Sequence, residues 1–286
     1  MEQGKQGILY VVATPIGNLN DLTPRIRQAF EEADFIAAED TRVTLRLLNH
    51  FGIKKQLISY FEHNKLEKGD IIVSRLISGE SCAIVTDAGM PVISDPGENL
   101  VRRCRLSGID IESVPGPSAL VTALAISGVT GGRFCFEGFL SVNKRSRNEH
   151  LDSLKNERRT MIFYEAPHKL KNTLKDFYEV FGGDREISVC RELTKIHEQV
   201  ILTTISKAVE MYDETVPKGE FVLVVKGADA PPEEDETDFT LEDAVSIALE
   251  KAEGGLSASA AAKFASQITG FKKNDIYSAM CGKKSI

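Results

Sequence analysis

Four short clusters in this chain set carboxylates beside cations or imidazoles: Glu39-Asp40-Thr41-Arg42, Glu62-His63-Asn64, Glu165 with His168, and Arg191-Glu192 with Lys195. Side chains of these types exchange protons and hold anions, so each cluster is a candidate for acid–base work or phosphate binding. The competing reading of each is an ordinary salt bridge. The five histidines, His50, His63, His150, His168 and His197, are too scattered for helical metal-ligand spacing. The five cysteines, Cys82, Cys104, Cys135, Cys190 and Cys281, are odd in number and form no CxxC pair. They read as small buried side chains in a reducing compartment, and no metal site is expected.

Three loops at expected strand ends are the second source of chemistry. The first, Ala13-Thr14-Pro15-Ile16-Gly17-Asn18, contains neither GxGxxG nor GxxxxGK[ST], so both familiar phosphate cradles are excluded. The second runs from Asp87 to Gly97 and packs Gly89, Pro91, Pro96 and Asp95 into eleven residues. A rigid loop bearing a carboxylate at a strand end suits a ligand with ribose hydroxyls or an amino group. The third, Pro115-Gly116-Pro117-Ser118, puts Ser118 at a helix start, where capping competes with ligand contact.

The elements that hold these loops follow from periodicity. Ile8 to Ala13 reads as a strand, and Thr23 as an N-cap with Pro24 at the first helical position. Phe35 to Ala38 reads as a strand, Thr41 to His50 as a helix stopped by Gly52, and Ile71 to Ile77 as a helix before the strand Cys82 to Thr86. Alternating strands and helices predict an open α/β sheet. From Arg133 onward, FCFEGF, TMIFYEA, EISVCREL, EQVILTTI and EFVLVV predict a second lobe with a mixed sheet. Between the first two of these, residues 144–159 are rich in Lys and Arg and poor in apolar residues, and are expected to form a mobile basic segment. The Pro-containing acidic stretch 228–238 reads as a linker to three helices, at about 241–253, 257–269 and 272–280, the last two parted by Gly270 as in a helix-turn-helix. The expected organisation is an N-terminal α/β lobe (1–122), a C-terminal α/β lobe (123–228), an acidic linker (229–238) and a helical domain (239–286).

The chain has 286 residues, 42% of them hydrophobic, with no long apolar run, so a globular, cytoplasmic protein is expected with no membrane partner. Its formal net charge of −7 repels a polyanion at long range, so any nucleic acid must be met by local basic patches. Residues 229–253 carry ten Asp and Glu against one Lys, whereas residues 256–286 carry five Lys against one Asp.

The ordered motifs ATPIGNLNDLTPR, EDTRVTLRLL, SYFEHN, VTDAGMPVISDPG, VPGPSALVTALAISG, FEGFL, FYEAPHKL, RELTKIHEQV and KGEFVLVV resemble those of the 16S ribosomal RNA cytidine 2′-O-methyltransferases of the tetrapyrrole-methylase superfamily. The resemblance spans residues 8–227 and includes a small C-terminal helical domain. It implies a two-lobed α/β fold with S-adenosylmethionine in the cleft between the lobes, a homodimer, and 16S rRNA or the 30S subunit as partner. It also implies that Pro15, Asp87, Ala88, Gly89, Val92, Ile93, Ser118, Ala119, Ala166, Leu193, Gly219, Glu220 and Phe221 face the cofactor. Met90 departs from the pattern, in which Thr is more usual.

Attack by a ribose 2′-hydroxyl requires relief of its proton. For the substrate side, Asp40 and Arg42 are the first choice: Arg42 to hold phosphate, and Asp40 or Glu39 to accept the proton or orient the ribose, with His63 as a proton shuttle. RNA contact is expected at Lys144, Arg145, Arg147, Lys272 and Lys273. Two other functions compete: a tetrapyrrole or diphthine-type methyltransferase of the same fold, and a non-catalytic ribosome-assembly factor. The absence of a GxSxG elbow argues against a hydrolase.

Overall fold

The computed structural model describes residues 6–129, 132–229 and 239–283. Residues 1–228 and 229–286 form two compact units. The acidic stretch 230–238 expected as a linker lies outside the described residues.

In the larger unit, β1 (Leu9–Val12), β2 (Phe35–Ala38), β3 (Gln56–Ser59), β4 (Cys82–Val85) and β5 (Ile111–Val114) form a sheet in the order β3-β2-β4-β1-β5. Every pairing is parallel. Successive side chains point to opposite faces. Tyr10, Val12, Ile36, Ala38 and Val85 turn toward α1 (Pro24–Glu32) and α2 (Thr41–His50); Leu9, Val11, Phe35, Ala37 and Ile84 turn toward α3 (Lys65–Ile77) and α4 (Gly97–Leu106). Burial on both faces is why the inner strands β1, β2 and β4 are unbroken apolar runs in the sequence. The expected cap of α1 is present, the Thr23 hydroxyl accepting from the Ile26 N–H. The helix expected from Ile71 begins six residues earlier, at Lys65, because its first turns are polar and carry no apolar periodicity.

A short helix, α5 (Ala119–Ile126), leads from the first sheet to a second. There β6 (Phe134–Phe139), β7 (Thr160–Glu165), β8 (Glu186–Arg191), β9 (Gln199–Thr204) and β10 (Phe221–Val225) lie in the order β6-β7-β10-β8-β9. Only β6 and β7 run parallel, so the sheet is mixed. One face packs Met161, Phe163, Val189 and Leu223 against α6 (Lys144–Ser153), α7 (Leu170–Phe181) and α8 (Ile205–Asp213). The other packs Ile162, Cys190, Val222 and Val224 against Leu120 and Ala123 of α5 and against Ile16 from the loop after β1. This shared apolar cluster ties the two sheets together.

Residues 144–153 are not a mobile segment. Asn143 caps α6 by accepting from the Arg145 and Ser146 N–H groups, and Leu151 is buried, which together supply what the polar sequence lacks in periodicity.

The smaller unit is α9 (Leu241–Glu253), α10 (Ala258–Thr269) and α11 (Lys273–Lys283). Thr240 and Asp243 form a capping box at the start of α9, and Gly270, at φ 76°, ends α10 in the left-handed region. Its core is built mostly from alanines: Ala244, Ala248, Ala261, Ala262 and Ala265, with Ile276 and Met280.

Candidate active site

The loops after β1, β4 and β5 leave the C-terminal edge of the parallel sheet, where open α/β folds bind ligands. The first two are stapled together. The Thr14 N–H donates to the Gly89 carbonyl at 2.9 Å, the Gly89 N–H returns a bond to Thr14 at 3.0 Å, and the Thr14 hydroxyl donates to the Thr86 carbonyl at 3.2 Å. Gly89 adopts φ 85°, and Val92 and Ser94 stand at 76° and 68° without being glycine. A β-branched residue in the left-handed region is costly by roughly 1–3 kcal/mol and persists only where its surroundings enforce it. A second strained turn lies across the cleft, with Glu192 at 52° and Thr194 at 64° flanking buried Leu193.

Between these loops and the second sheet lies a cavity of about 400 Å3. Ten of the positions carried over by resemblance line it: Asp87, Ala88, Gly89 and Ile93 from the second loop, Ser118 and Ala119 from the third, and Ala166, Leu193, Glu220 and Phe221 from the other lobe. Ser118 makes no capping bond to α5, so its side chain belongs to the cavity wall and not to the helix end. The remaining three are placed differently. Pro15 lines an adjoining hollow. The Val92 side chain packs against the cluster beneath α3 and α4, because its positive φ turns it inward. Gly219, at φ 93°, leaves the room that Glu192 fills: a Cβ there would lie 2.6 Å from the Glu192 carboxyl. Glu192 in turn accepts from the Glu220 N–H at 3.0 Å and from Lys195 Nζ at 2.8 Å. Met90 both borders the cavity and packs on the core below it.

Residues of the wall that sequence reasoning did not single out include Ile16, Thr86, Ser94, Phe139, Tyr164 and Pro167. The FYEAPH and FEGFL motifs contain three of them, and were the available signal. Tyr164 accepts the Leu120 N–H at 3.1 Å through its hydroxyl and stacks edge-on to Phe136 and Phe139, at 4.9 and 5.5 Å, fixing the start of α5 against the second sheet.

Glu39, Asp87 and Glu220 bring three acidic residues to one cavity whose other walls are small or apolar. Glu165 is 4% exposed and accepts from the Ala166 N–H at 2.8 Å and the Thr173 hydroxyl at 2.5 Å. It is therefore a buried anchor of the Ala166 turn and makes no dyad with His168. Thr86 donates to Glu39 at 2.5 Å. Asp87 accepts the Asp40 N–H at 3.1 Å through one oxygen. Partial burial, then the negative charge of Glu39, push the Asp87 pKa above the ordinary carboxylate value.

The substrate-side residues separate in three dimensions. Asp40 caps α2 by accepting the Arg42 N–H at 2.8 Å, and Arg42 Nη2 donates to its other oxygen at 2.6 Å. The Arg42 hydrogen bonds hold the Asp40 carboxyl down at about 2, so it is a capping anion and a poor proton acceptor. Arg42 is already neutralised by it. His63 is exposed, contacts Phe61 edge-on at 6.1 Å, and lines neither hollow. Of the four candidates, Glu39 reaches the cavity.

The basic candidates also divide. Lys144 and Arg145 are exposed on α6, Arg145 pairing with Glu149 at 2.8 Å. Arg147 is only 15% exposed and pairs with Asp176 of α7 at 2.8 Å, so it packs two helices together and is withdrawn from any RNA surface. Lys272 and Lys273 are exposed at the start of α11 in the smaller unit. Among the described residues no cluster of three metal-ligating side chains occurs.

Comparison with known proteins places this geometry among methylating enzymes. The tetrapyrrole (corrin/porphyrin) methylases match residues 8–209. The chain is similar to ribosomal RNA small subunit methyltransferase I of Haemophilus influenzae, with 44% identity over 273 residues and 95% of each chain covered. A relative of the same name from Thermotoga maritima is 47% identical over 221 residues, covering 99% of its own length but 77% of this chain. Among solved structures, the methyltransferase CobJ superposes with a TM-score of 0.60 at 20% identity, covering 79% of this chain and 98% of that one; this is a likeness of fold.

Proposed function

Since the chain belongs to the tetrapyrrole (corrin/porphyrin) methylase family, we propose that it transfers a methyl group from S-adenosylmethionine to the 2′-hydroxyl of a cytidine in 16S ribosomal RNA, acting on the small subunit in the cytoplasm. The observation that carries the cofactor assignment is the cavity at the parallel sheet's C-terminal edge, about 400 Å3, lined by Glu39, Asp87 and Glu220 and, among the described residues, by no Lys, Arg or His. S-adenosylmethionine is cationic at its sulfonium and ammonium groups and carries a ribose diol, so an acidic cleft fits it and repels a phosphate-bearing dinucleotide. The RNA assignment is supported by relatives named as small subunit rRNA methyltransferases that match 95% of this chain.

When bound, S-adenosylmethionine supplies the electrophilic methyl group. The chain's own residues do the rest. Among the described residues one Asp87 oxygen has no protein donor, and the Asp40 N–H and the strained Val92–Ser94 turn hold its loop in place. The small side chains Ala88, Ala119 and Ala166 leave room for a flat ring system. Glu39, oriented by the Thr86 hydroxyl, lines the same cavity, and its negative charge adds to the burial that raises the Asp87 pKa. The proton released when the 2′-oxygen is methylated passes to a carboxylate of this wall and then to water, which balances the transfer.

The exposed apolar side chains Val121, Ile126, Val200 and Leu202 on α5 and β9 support a homodimer as part of the same reading. The functional test is methyl transfer from labelled S-adenosylmethionine to 30S subunits lacking their ribose methylation, with mass mapping of the product and Asp87→Ala as control. Label at one cytidine 2′-oxygen, lost in the control, is the expected result. Cofactor binding without transfer to 30S subunits or 16S RNA would overturn the reading in favour of a small-molecule or protein substrate.

A further inference from the structure

Next to the cofactor cavity lies a second hollow, also about 400 Å3. Val43 and Leu47 of α2 and Pro15 of the first loop give it apolar walls. Thr86 and Asp87 border both hollows, so a molecule in one meets a molecule in the other at those two residues. That is the arrangement a two-substrate transfer requires.

The hollow also carries a guanidinium and an imidazole. Arg46 and His50, both exposed, line it from the outer side of α2. They are four residues apart, one helical turn and about 6 Å of rise, and so share a face. Arg42 stands one turn earlier on the same stripe but is occupied by Asp40. Arg46 is different: its Nε donates to the Arg42 carbonyl at 3.3 Å, and among the described residues no carboxylate pairs with it. In a chain of formal net charge −7, an unneutralised guanidinium beside the reaction centre is a local exception to a field that repels polyanions.

We propose that this hollow seats the nucleotide to be methylated, with its base or sugar against Val43, Leu47 and Pro15, a flanking phosphate on Arg46 with His50 beside it, and the ribose directed at Thr86 and Asp87. The inference rests on the RNA reading above. A pocket of one-nucleotide size with apolar walls and a guanidinium on one side takes a base splayed out of a single-stranded segment, which is how proteins reach individual ribonucleotides. It assigns the phosphate contact to Arg46 in place of Arg42.

The test compares wild type with Arg46→Glu, Arg46→Lys and His50→Gln, all at exposed positions, in methyl transfer to 30S subunits lacking ribose methylation, alongside S-adenosylmethionine binding by calorimetry. In Arg46→Glu the KM for 30S subunits rises about tenfold or more, and the slope of log affinity against log salt shrinks by about one. Arg46→Lys retains most of the affinity, and the cofactor Kd stays within about twofold in every variant. An Arg46→Glu protein with unchanged KM and salt slope, or one whose cofactor affinity falls as far as its RNA affinity, overturns this assignment alone. A wild-type protein that transfers no label to RNA overturns both it and the functional reading.

Discussion

Asp87 is the residue on which the site's electrostatics turn. Burial and the nearby Glu39 raise its pKa, so its ionised form is disfavoured until a cation or a hydroxyl donor arrives. Ligand binding selects the ionised form. Affinity for S-adenosylmethionine is therefore full above the raised pKa and falls as pH drops through it, and binding near that pH releases protons. Calorimetry in buffers of different ionisation enthalpy measures both effects. For stability the sign is opposite: a carboxyl whose folded pKa is raised contributes most below its unfolded value and loses that contribution as pH rises. Asp87→Asn is thus expected to lower cofactor affinity by about tenfold or more while the melting temperature at neutral pH holds or rises. A variant that loses both together would mark Asp87 as structural. At this scale the structure puts Asp87 on the cavity wall and pairs Asp40 with Arg42. That they stand two residues apart at a helix start was legible in the sequence; that they satisfy each other was not, because the N-cap geometry that brings them together depends on where the strand ends.

At the scale of elements, the loops after β1 and β8 meet across the cleft. A Cβ on Gly17 would lie 2.5 Å from Lys195 Cγ and 2.9 Å from Thr194 Oγ1, so Gly17→Ala is expected to displace the Leu193 turn and weaken cofactor binding with little change in secondary structure by circular dichroism. Phe177→Ala tests a different role. Phe177 is fully buried, 4.9 Å from Phe163 and 5.3 Å from Phe181, and its truncation is expected to cost about 3–5 kcal/mol in denaturant unfolding without a specific effect on the cofactor Kd. The elements themselves were unevenly legible. β2, α2 and β6 match their sequence-based bounds residue for residue, because continuous apolar runs or a clean cap and stop mark them. The polar first turns of α3 and the polar helix α6 carry no such periodicity; caps and tertiary burial of a few residues decide them.

Taken as a whole, the molecule separates residues 1–228 from residues 229–286. All the residues lining both hollows belong to the larger unit. The Thermotoga maritima relative covers 99% of its own length while matching 77% of this chain, so about a quarter of this chain has no counterpart there. Removing residues 229–286 is accordingly expected to leave the S-adenosylmethionine Kd unchanged. The smaller unit presents Lys272 and Lys273 at an exposed helix start, and its loss is expected to lower affinity for 30S subunits several-fold and to reduce its salt dependence, measured by filter binding over a salt series. Unaltered RNA affinity in the truncated chain would remove the terminal unit from the binding surface.

What the amino-acid sequence determined by itself was the kind of molecule: the strand and helix order, the two-lobed α/β class, the three loops at the sheet's edge and, through the motifs of a resembling family, ten of the positions that line the cleft. These follow from local preferences and from motifs in which neighbouring residues act together, and both survive in one dimension. The tertiary structure alone decided which charges are already satisfied and which are not. Arg42, Arg147 and Arg46 look alike as letters; one is held by its own helix cap, one by a neighbouring helix, and one faces a hollow with no carboxylate paired to it. A charge's availability depends on every group that folding brings within a few ångströms, from segments dozens of residues away, and only the packed molecule specifies that set.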